Sequence, residues 1–328
     1  MVSRRSFLGG LAAFGAAGAV GALGGASSGC SRAAGEPGVV RLGLIANLSH
    51  APILRAVADG SLARAIAPSR LEVRMFRAGP RVAEALLGRA IDVGVLGPLP
   101  IATLQARHPG TIAVISGCAS GGASLIVRAS VADPATLRGA RLATPQIGST
   151  QDVALRTWLR ARGLASADRG GVVTIDALAP ADAALQLARG GLIGAWLPEP
   201  WATRLVTELP TRRLVDERTL WPDGRFPSAL VAVRRAFAEA RRPEVDALRA
   251  AIGSAIDGTL ADPDAARPLV NRELERLTTR ALPPGLLATA WSFVDFTRAP
   301  LAEGVARIAA DARALDYLPF VDCAPLFV

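Results

Sequence analysis

The sequence predicts an α/β protein of two lobes, each built on a mostly parallel β-sheet with helices on its faces. Three observations predict this fold class. Short apolar runs alternate with helical segments of about 10–15 residues, the alternation begins again after residue 128, and polar turn-forming segments follow the predicted strands. With 328 residues and 51% hydrophobic composition, the chain is long enough to bury two such cores.

The elements follow in order along the chain. Apolar runs predict strands at 39–46, 71–76, 91–96 and 111–117, and the helical pattern predicts helices at 51–65, 81–88 and 101–107. After residues 125–128 the pattern repeats, with strands at 140–143, 172–175 and 193–197 and helices at 150–163 and 180–189. From residue 243 to about residue 315 the pattern is mainly helical.

Two segments resemble each other and support the division into lobes. Residues 86–100 (LLGRAIDVGVLGPLP) and 187–200 (LARGGLIGAWLPEP) each combine a helix end, a glycine, a short apolar strand and a proline-containing loop. The similarity indicates either two equivalent lobes or a chance likeness between two βα units. If the lobes are equivalent, a ligand is expected between them, at the carboxyl ends of the strands.

The first 30 residues resemble an export signal. The sequence S-R-R-S-F-L at residues 3–8 matches a twin-arginine motif, and an uncharged apolar stretch follows at residues 8–25. The sequence S-S-G-C at residues 27–30 resembles a lipobox, with serine in place of the usual aliphatic residue. We therefore expect an exported protein that is either lipidated at Cys30, and so anchored at the outer face of the cytoplasmic membrane, or released by simple cleavage.

Composition argues against several other classes of protein. The formal net charge is +9, but all 37 basic residues are arginines spread along the chain without interleaved aromatics, so no nucleic-acid partner is expected. Two histidines and no Cys-x-x-Cys spacing predict neither a metal site nor a cofactor. Cys118 and Cys323 are either a disulfide pair or buried free thiols.

Residues 143–156, A-T-P-Q-I-G-S-T-Q-D-V-A-L-R, join a predicted strand to a predicted helix. Ser149 and Thr150 are favourable N-cap residues ahead of the apolar helix positions. The first turn of a helix leaves about four backbone N–H groups without intrahelical partners, and the helix dipole makes that end positive. Together with the amide of Gln151, these groups predict a site for a small oxyanion, with an ordinary capped helix as the alternative.

Four other polar segments also follow predicted strands. They lie at residues 47–52, 97–100, 120–124 and 198–201, and they supply hydroxyl groups, backbone N–H groups, one histidine and one indole. Glycine and proline in these segments fit ordinary turns. The occurrence of such groups at several strand ends favours a common pocket.

Seven segments carry a resemblance to a known family, at residues 47–52, 78–80, 91–100, 120–124, 144–156, 195–203 and 220–224. With them the chain resembles the substrate-binding proteins of ABC importers for aliphatic sulfonates, taurine and nitrate, over about residues 39–318. The resemblance implies a bilobal periplasmic-binding-protein fold of type II, with two α/β lobes joined by a two-strand hinge. We expect the chain to cross between lobes near residues 127–130 and 226–230. Lobe one would then comprise residues 39–128 plus 229–328, and lobe two residues 129–228.

The resemblance also implies a ligand site and partners. The expected site residues are Ser49, His50, Gly97, Pro98, Gly122, Ala123, Ser124, Ser149, Thr150, Gln151, Glu199 and Trp201. The ligand would be a small organic anion, with an aliphatic sulfonate as first choice and taurine or nitrate/bicarbonate next. A monomeric binding protein would deliver it to a membrane permease that is driven by an ATPase subunit.

Two details bear on the choice of ligand. An apolar tail would contact Trp201 or Trp196, whereas the ammonium of taurine would need a carboxylate such as Glu199 or Asp152. Members of the family usually carry aspartate immediately before the Gly-Ala-Trp strand, where this chain has isoleucine at residue 193, so a loop contact is expected to differ.

An enzyme on the same fold, such as a synthase of a pyrimidine cofactor precursor, is the alternative of another class. Such proteins need a cysteine-rich motif that this sequence lacks. The adjacency of Ser49 and His50 does not by itself indicate a nucleophile and its base, and the sequence has no G-x-S-x-G motif. We therefore expect reversible binding without catalysis.

Overall fold

The computed structural model describes residues 38–327, so the predicted signal peptide and the predicted lipidation site at Cys30 lie outside the described residues. The strands are β1 (Val39–Leu44), β2 (Arg70–Met75), β3 (Val93–Leu96), β4 (Ile112–Gly121), β5 (Ala123–Arg128), β6 (Arg141–Thr144), β7 (Thr174–Ala177), β8 (Gly194–Pro198), β9 (Thr211–Asp216), β10 (Pro227–Arg234) and β11 (Val294–Phe296). The helices are α1 (Ala51–Ala58), α2 (Ser61–Ala65), α3 (Gly79–Leu87), α4 (Pro98–Arg107), α5 (Thr150–Arg160), α6 (Pro180–Arg189), α7 (Trp201–Glu208), α8 (Arg235–Ala240), α9 (Arg242–Ala261), α10 (Pro263–Thr278), α11 (Pro284–Trp291) and α12 (Ala302–Ala314).

Two sheets organise the strands. The first has the order β11-β4-β10-β3-β1-β2 and the second the order β7-β6-β8-β5-β9. In the first sheet β1 is parallel to β2 and β3, and β10 is antiparallel to β3 and β4. In the second sheet β6 is parallel to β7 and β8, and β5 is antiparallel to β8 and β9. The predicted α/β fold class is confirmed, and the two sheets share one arrangement of three parallel strands and antiparallel neighbours.

Both faces of each sheet are covered by helices. Side chains alternate along a strand, so that Val231 and Val233 join one apolar cluster with α1, α9 and α10, whereas Leu230 and Ala232 join another with α3, α4 and α12. In the second sheet, α5 covers one face and α6 with α7 the other. Each sheet therefore has a core of its own on both sides.

The two similar segments of the sequence form equivalent structures. They contain β3 and β8, which lie at matching places in the two sheets. Arg234 Nε donates to the Ile91 carbonyl at 3.1 Å, and Arg128 Nε donates to the Leu192 carbonyl at 3.1 Å. The likeness between the segments therefore extends to side-chain hydrogen bonds.

The equivalence breaks where the sequence departs from the pattern of the family that it resembles. The buried Asp92 carboxylate accepts from Arg41 N at 3.0 Å and pairs with the Arg234 guanidinium. Ile193 stands at the corresponding place and makes the same backbone hydrogen bond, but it offers Arg128 no carboxylate. The Asp92–Arg234 ion pair of the first sheet therefore has no counterpart at Ile193 and Arg128 in the second.

The chain passes between the sheets through two glycines. Gly121 and Gly122 have φ values of 76° and 77°, which glycine adopts without a steric penalty. A Cβ on Gly122 would lie 2.7 Å from Val294 Cγ2. The return passage lies beside the first, because Phe226 N donates to Ser120 Oγ at 3.1 Å.

These passages differ partly from the expected crossings. The range 226–230 coincides with the start of β10. The range 127–130 lies at the end of β5, so the first passage occurs earlier, at Gly122. The division into lobes of residues 39–128 plus 229–328 and 129–228 stays a prediction, with β5 belonging to the second sheet.

Several elements do not follow from the sequence pattern. Gly60, with φ of 74°, separates α1 from α2 where one helix was expected. The sequence pattern did not predict helix α7 or the strands β5, β9, β10 and β11. Strand β10 depends on pairing with β3 and β4, which lie more than a hundred residues earlier, and local periodicity carries no information on such pairing.

Two further observations concern the described residues. Cys118 and Cys323 are both buried free thiols, and burial raises the pKa of Cys118 to about 12. Between residues 38 and 327, no helix combines the length and the apolar character that spanning a bilayer requires.

Candidate functional site

The carboxyl ends of the six parallel strands meet around one cavity. In the first sheet β1, β2 and β3 lead into α1, α3 and α4, and in the second β6, β7 and β8 lead into α5, α6 and α7. Residues at the start of each of these six helices line a cavity of about 410 Å³. Its position agrees with the general rule that open α/β sheets bind ligands at this edge.

The six helix starts give the cavity its electrostatic character. Because residues at the start of each helix line the cavity, the positive ends of the six helix dipoles lie near it. At α5, the N–H groups of Thr150 and Gln151 have no hydrogen-bond acceptor among the described residues. The cavity is therefore suited to an anion held by neutral dipoles.

The loop before α5 is fixed from behind by a buried carboxylate. Asp152 is fully buried and accepts from Gly148 N at 3.1 Å, from Thr144 Oγ1 at 3.2 Å and from Arg156 Nε at 3.0 Å. Ser149 Oγ caps the helix by accepting from Asp152 N at 3.3 Å. These bonds hold the N–H groups of the first turn in place before any ligand arrives.

His50 contributes a neutral donor. Its Nδ1 accepts a hydrogen bond from Ile45 N at 3.2 Å, which places the proton of the neutral ring on Nε2. Burial lowers the pKa of His50 to about 3, so the ring is uncharged at neutral pH. Nε2–H makes no hydrogen bond to any residue from 38 to 327, and the side chain lines the cavity.

The floor of the cavity is a close contact between the two sheets. A Cβ built on Gly97, at the end of β3, would lie 2.7 Å from Oγ1 of Thr150 at the start of α5. Ser228 also lines the floor, and its buried hydroxyl has no partner within the described part of the chain. Ser49 lines the same region while its hydroxyl donates to Asn47 Oδ1 at 2.6 Å.

The mouth of the cavity is partly apolar and carries both signs of charge. Met75, Phe76 and Trp201 form an apolar wall that would suit an aliphatic tail. Arg77 and Asp182 are exposed at the rim, on elements of the first and the second sheet respectively. Arg77 has no ion-pair partner within residues 38–327.

Most of the expected site residues are brought together. The cavity lining includes Ser49, His50, Gly97, Gly122, Ala123, Ser149, Thr150, Gln151 and Trp201. It does not include Pro98, Ser124 or Glu199. Pro98 is buried in the first turn of α4, behind the lining residue Gly97.

Glu199 and Ser124 belong to a buried network beneath the cavity. Glu199 Oε2 accepts from Thr203 N at 3.0 Å, and Oε1 accepts from Arg213 at 2.8 Å. Arg213 also donates to Ser124 Oγ. Burial raises the pKa of Glu199, while the adjacent guanidinium opposes that rise.

Asp152 and Glu199 are the carboxylates expected to bind the ammonium group of taurine. Both are fully buried, and their oxygens already accept hydrogen bonds from other residues, so neither is free to bind an ammonium group. Trp196 is also buried away from the cavity, where its Nε1 donates to Glu217 Oε2 at 2.8 Å. Of the two indoles considered for the apolar wall, only Trp201 contacts the cavity.

Sequence reasoning missed two of the six strand ends. Residues 75–80 after β2 and residues 179–182 after β7 line the cavity, as does Ser228. A signal was present, since both segments place a small residue and a proline a few residues after the strand, where residues 97–98 follow β3 directly. No group of three or more possible metal ligands occurs among residues 38–327.

Comparisons with known proteins agree with this geometry. The profile of the NMT1-like family matches residues 33–272. The taurine-binding periplasmic protein of Escherichia coli K12 is 28% identical over 220 residues, which is 66% of this chain and 65% of that protein, slightly less than two thirds of its length.

Solved structures share the fold at low sequence identity. The alkanesulfonate-binding protein SsuA of Xanthomonas axonopodis pv. citri, bound to MOPS, has a TM-score of 0.73 at 23% identity and covers 90% of this chain and 99% of that one. The aliphatic sulphonate-binding protein SsuA of Escherichia coli has a TM-score of 0.69 at 20% identity, with 88% and 96% covered. The nitrate-binding protein NrtA of Synechocystis PCC 6803 has a TM-score of 0.68 at 15% identity, with 86% and 82% covered. The predicted periplasmic-binding-protein fold is confirmed.

Proposed function

The chain belongs to the NMT1-like family, and on that premise we propose that it is the solute-binding protein of an ABC importer for a small anion. It captures the ligand reversibly between its two lobes and delivers it to a permease driven by an ATPase. Binding of one ligand by both lobes stabilises the closed form, because only that form makes all the contacts.

The convergence of six helix starts on one cavity carries this proposal. A charge-assisted hydrogen bond contributes about 1.5–3 kcal/mol, so three or four such bonds support micromolar affinity, which corresponds to about −8 kcal/mol. The donors are the N–H groups of Thr150 and Gln151, the Thr150 hydroxyl and His50 Nε2–H. None of these groups titrates between pH 5 and pH 8, so the affinity is expected to stay constant over that range.

The cavity favours an aliphatic sulfonate among the candidate anions. A volume of about 410 Å³ with an apolar wall leaves room for a tail that nitrate and bicarbonate lack. Taurine is less favoured, because Glu199 and Asp152 are occupied by other donors and Asp182 lies exposed at the rim. These contacts support an aliphatic sulfonate as first choice, ahead of taurine or nitrate/bicarbonate.

The site favours binding over catalysis. A nucleophilic serine would need to donate to a neighbouring base. Instead the Ser49 hydroxyl donates to Asn47, and His50 Nδ1 is occupied by Ile45 N. Relatives named as binding proteins of the periplasm support the same reading.

Export and anchoring complete the proposal. The twin-arginine motif and the lipobox-like sequence support a mature chain that begins at Cys30 and is held at the outer face of the cytoplasmic membrane by lipid. The protein would act there as a monomer beside its permease.

Calorimetry of the chain from residue 30 onward against ethanesulfonate, taurine, nitrate and bicarbonate tests the function. Ethanesulfonate is expected to bind with micromolar affinity, and no binding to any of the four would refute the proposal.

Thr150→Ala removes an unpartnered hydroxyl at the cavity floor, so it should weaken binding at least about tenfold. The control Thr207→Ala removes a hydroxyl that bonds Thr203 O at 2.9 Å outside the cavity, and its affinity should equal that of the wild type.

A further inference from the structure

Tyr317, the single tyrosine of the chain, reaches from one part of the fold into the other. It follows α12, whose apolar side chains pack with α3 and α4 in the core of the first sheet. Its hydroxyl donates to Asp152 Oδ2 at 3.0 Å, in the helix that follows the second sheet's β6. The two residues are 165 positions apart, so the bond joins distant parts of the chain.

The acceptor of this bond is the carboxylate of Asp152, which holds the loop before α5 in place. Asp152 Oδ2 also accepts from Gly148 N, immediately before the N-cap Ser149. Asp152 Oδ1 accepts from Thr144 and Arg156 on the other side of the loop. Tyr317 is the contact through which the core of the first sheet reaches this carboxylate.

The segment around Tyr317 makes further contacts with the same region. Arg160 donates to the Ala314 carbonyl at 2.5 Å, and Arg169 pairs with Asp316 at 3.2 Å. The guanidinium of Arg169 also lies 5.4 Å from the centre of the Tyr317 ring. Asp316 is 86% exposed, so its ion pair contributes little.

We infer that Tyr317 is a positioning residue for ligand binding, which holds the loop before α5 in its anion-binding geometry through Asp152. The inference rests on the proposed function, because it assigns a role within that same cavity. A misplaced donor loses most of its interaction with an anion, since hydrogen bonds weaken steeply away from linear geometry. Burial and the neighbouring Asp152 charge raise the pKa of Tyr317 to about 12, which keeps the hydroxyl a donor at neutral pH.

Tyr317→Phe tests the assignment, because it removes the hydroxyl and keeps the ring. Its affinity for ethanesulfonate, and for each of the other three anions that the wild type binds, should fall three- to tenfold. The matched control is Asp316→Asn, which breaks the neighbouring exposed ion pair without touching Asp152, and it should bind like the wild type.

A spectroscopic signature separates positioning from mere support of the fold. Wild-type protein labelled with ¹³C at tyrosine Cζ gives a single resonance, and saturation with the bound anion should shift it. An affinity of Tyr317→Phe within twofold of the wild type, or a resonance that does not move on saturation, would overturn the assignment while leaving the proposed function intact. Failure of the wild type to bind any of the four anions would overturn both.

Discussion

Substitution of Gly97 by alanine isolates the contact at the floor of the cavity. Gly97 has φ of −71° and ψ of 165°, which any residue adopts, so the added methyl group acts by its size alone. It would lie 2.7 Å from Thr150 Oγ1, whereas ordinary contact starts at 3.4 Å. The two elements must therefore separate by several tenths of an ångström, or Thr150 must leave its rotamer.

The expected effect is on affinity rather than on stability. Overpacking costs about 1–3 kcal/mol, which corresponds to a loss of affinity of about 5- to 150-fold. In the proposed mechanism the ligand-free lobes part, and that open form would relieve the contact. The same substitution also reduces the entropy of the unfolded chain, so the free energy of unfolding should be unchanged or higher by about 0.4–1 kcal/mol.

Calorimetry with ethanesulfonate and urea unfolding of the ligand-free protein measure the two effects. The control is Gly285→Ala, because a Cβ at Gly285 has no neighbour within 4 Å. In a Thr150→Ala background, Gly97→Ala should cost much less affinity, since the clashing hydroxyl is gone. A loss of unfolding free energy of 1 kcal/mol or more with unchanged affinity would refute the reasoning, because the contact would then belong to a rigid core.

Two further substitutions test the second sheet. Burial raises the pKa of Glu217 from 4.5 to about 8. Between these pH values the folded protein keeps a proton that the unfolded chain has released, so the free energy of unfolding falls as the pH rises from 4.5 through 8. Glu217→Gln keeps an acceptor for Trp196 Nε1, so by urea unfolding it should match the wild type at pH 5 and exceed it at pH 9; equal curves at both pH values would contradict this. Ile193→Asp gives Arg128 a carboxylate like the one that Asp92 gives Arg234 in the first sheet. The free energy of unfolding should therefore stay level or rise by up to about 1 kcal/mol. A decrease of more than about 1 kcal/mol would show that the two loops are not equivalent.

The alternation of strands and helices could be predicted because it depends on local periodicity. The start of α5 is an example, since Ser149 caps the helix as the sequence indicates. The family could also be identified from short motifs. Nine of the expected site residues then line the cavity because strand ends in such a fold meet at one edge.

The sequence by itself determined the α/β class and the family, since both are written in segments of a few residues, whereas it left the equivalence of residues 86–100 and 187–200 open. Only the tertiary structure decided which polar groups face a ligand. Asp152 and Glu199 look alike in the sequence as carboxylates near strand ends, yet both are buried and occupied by donors, Glu199 by Arg213 in a strand that the sequence pattern did not predict. The close approach of Gly97 to Thr150 likewise depends on how the two sheets meet. The residues next to either of them in the sequence carry no information about this contact.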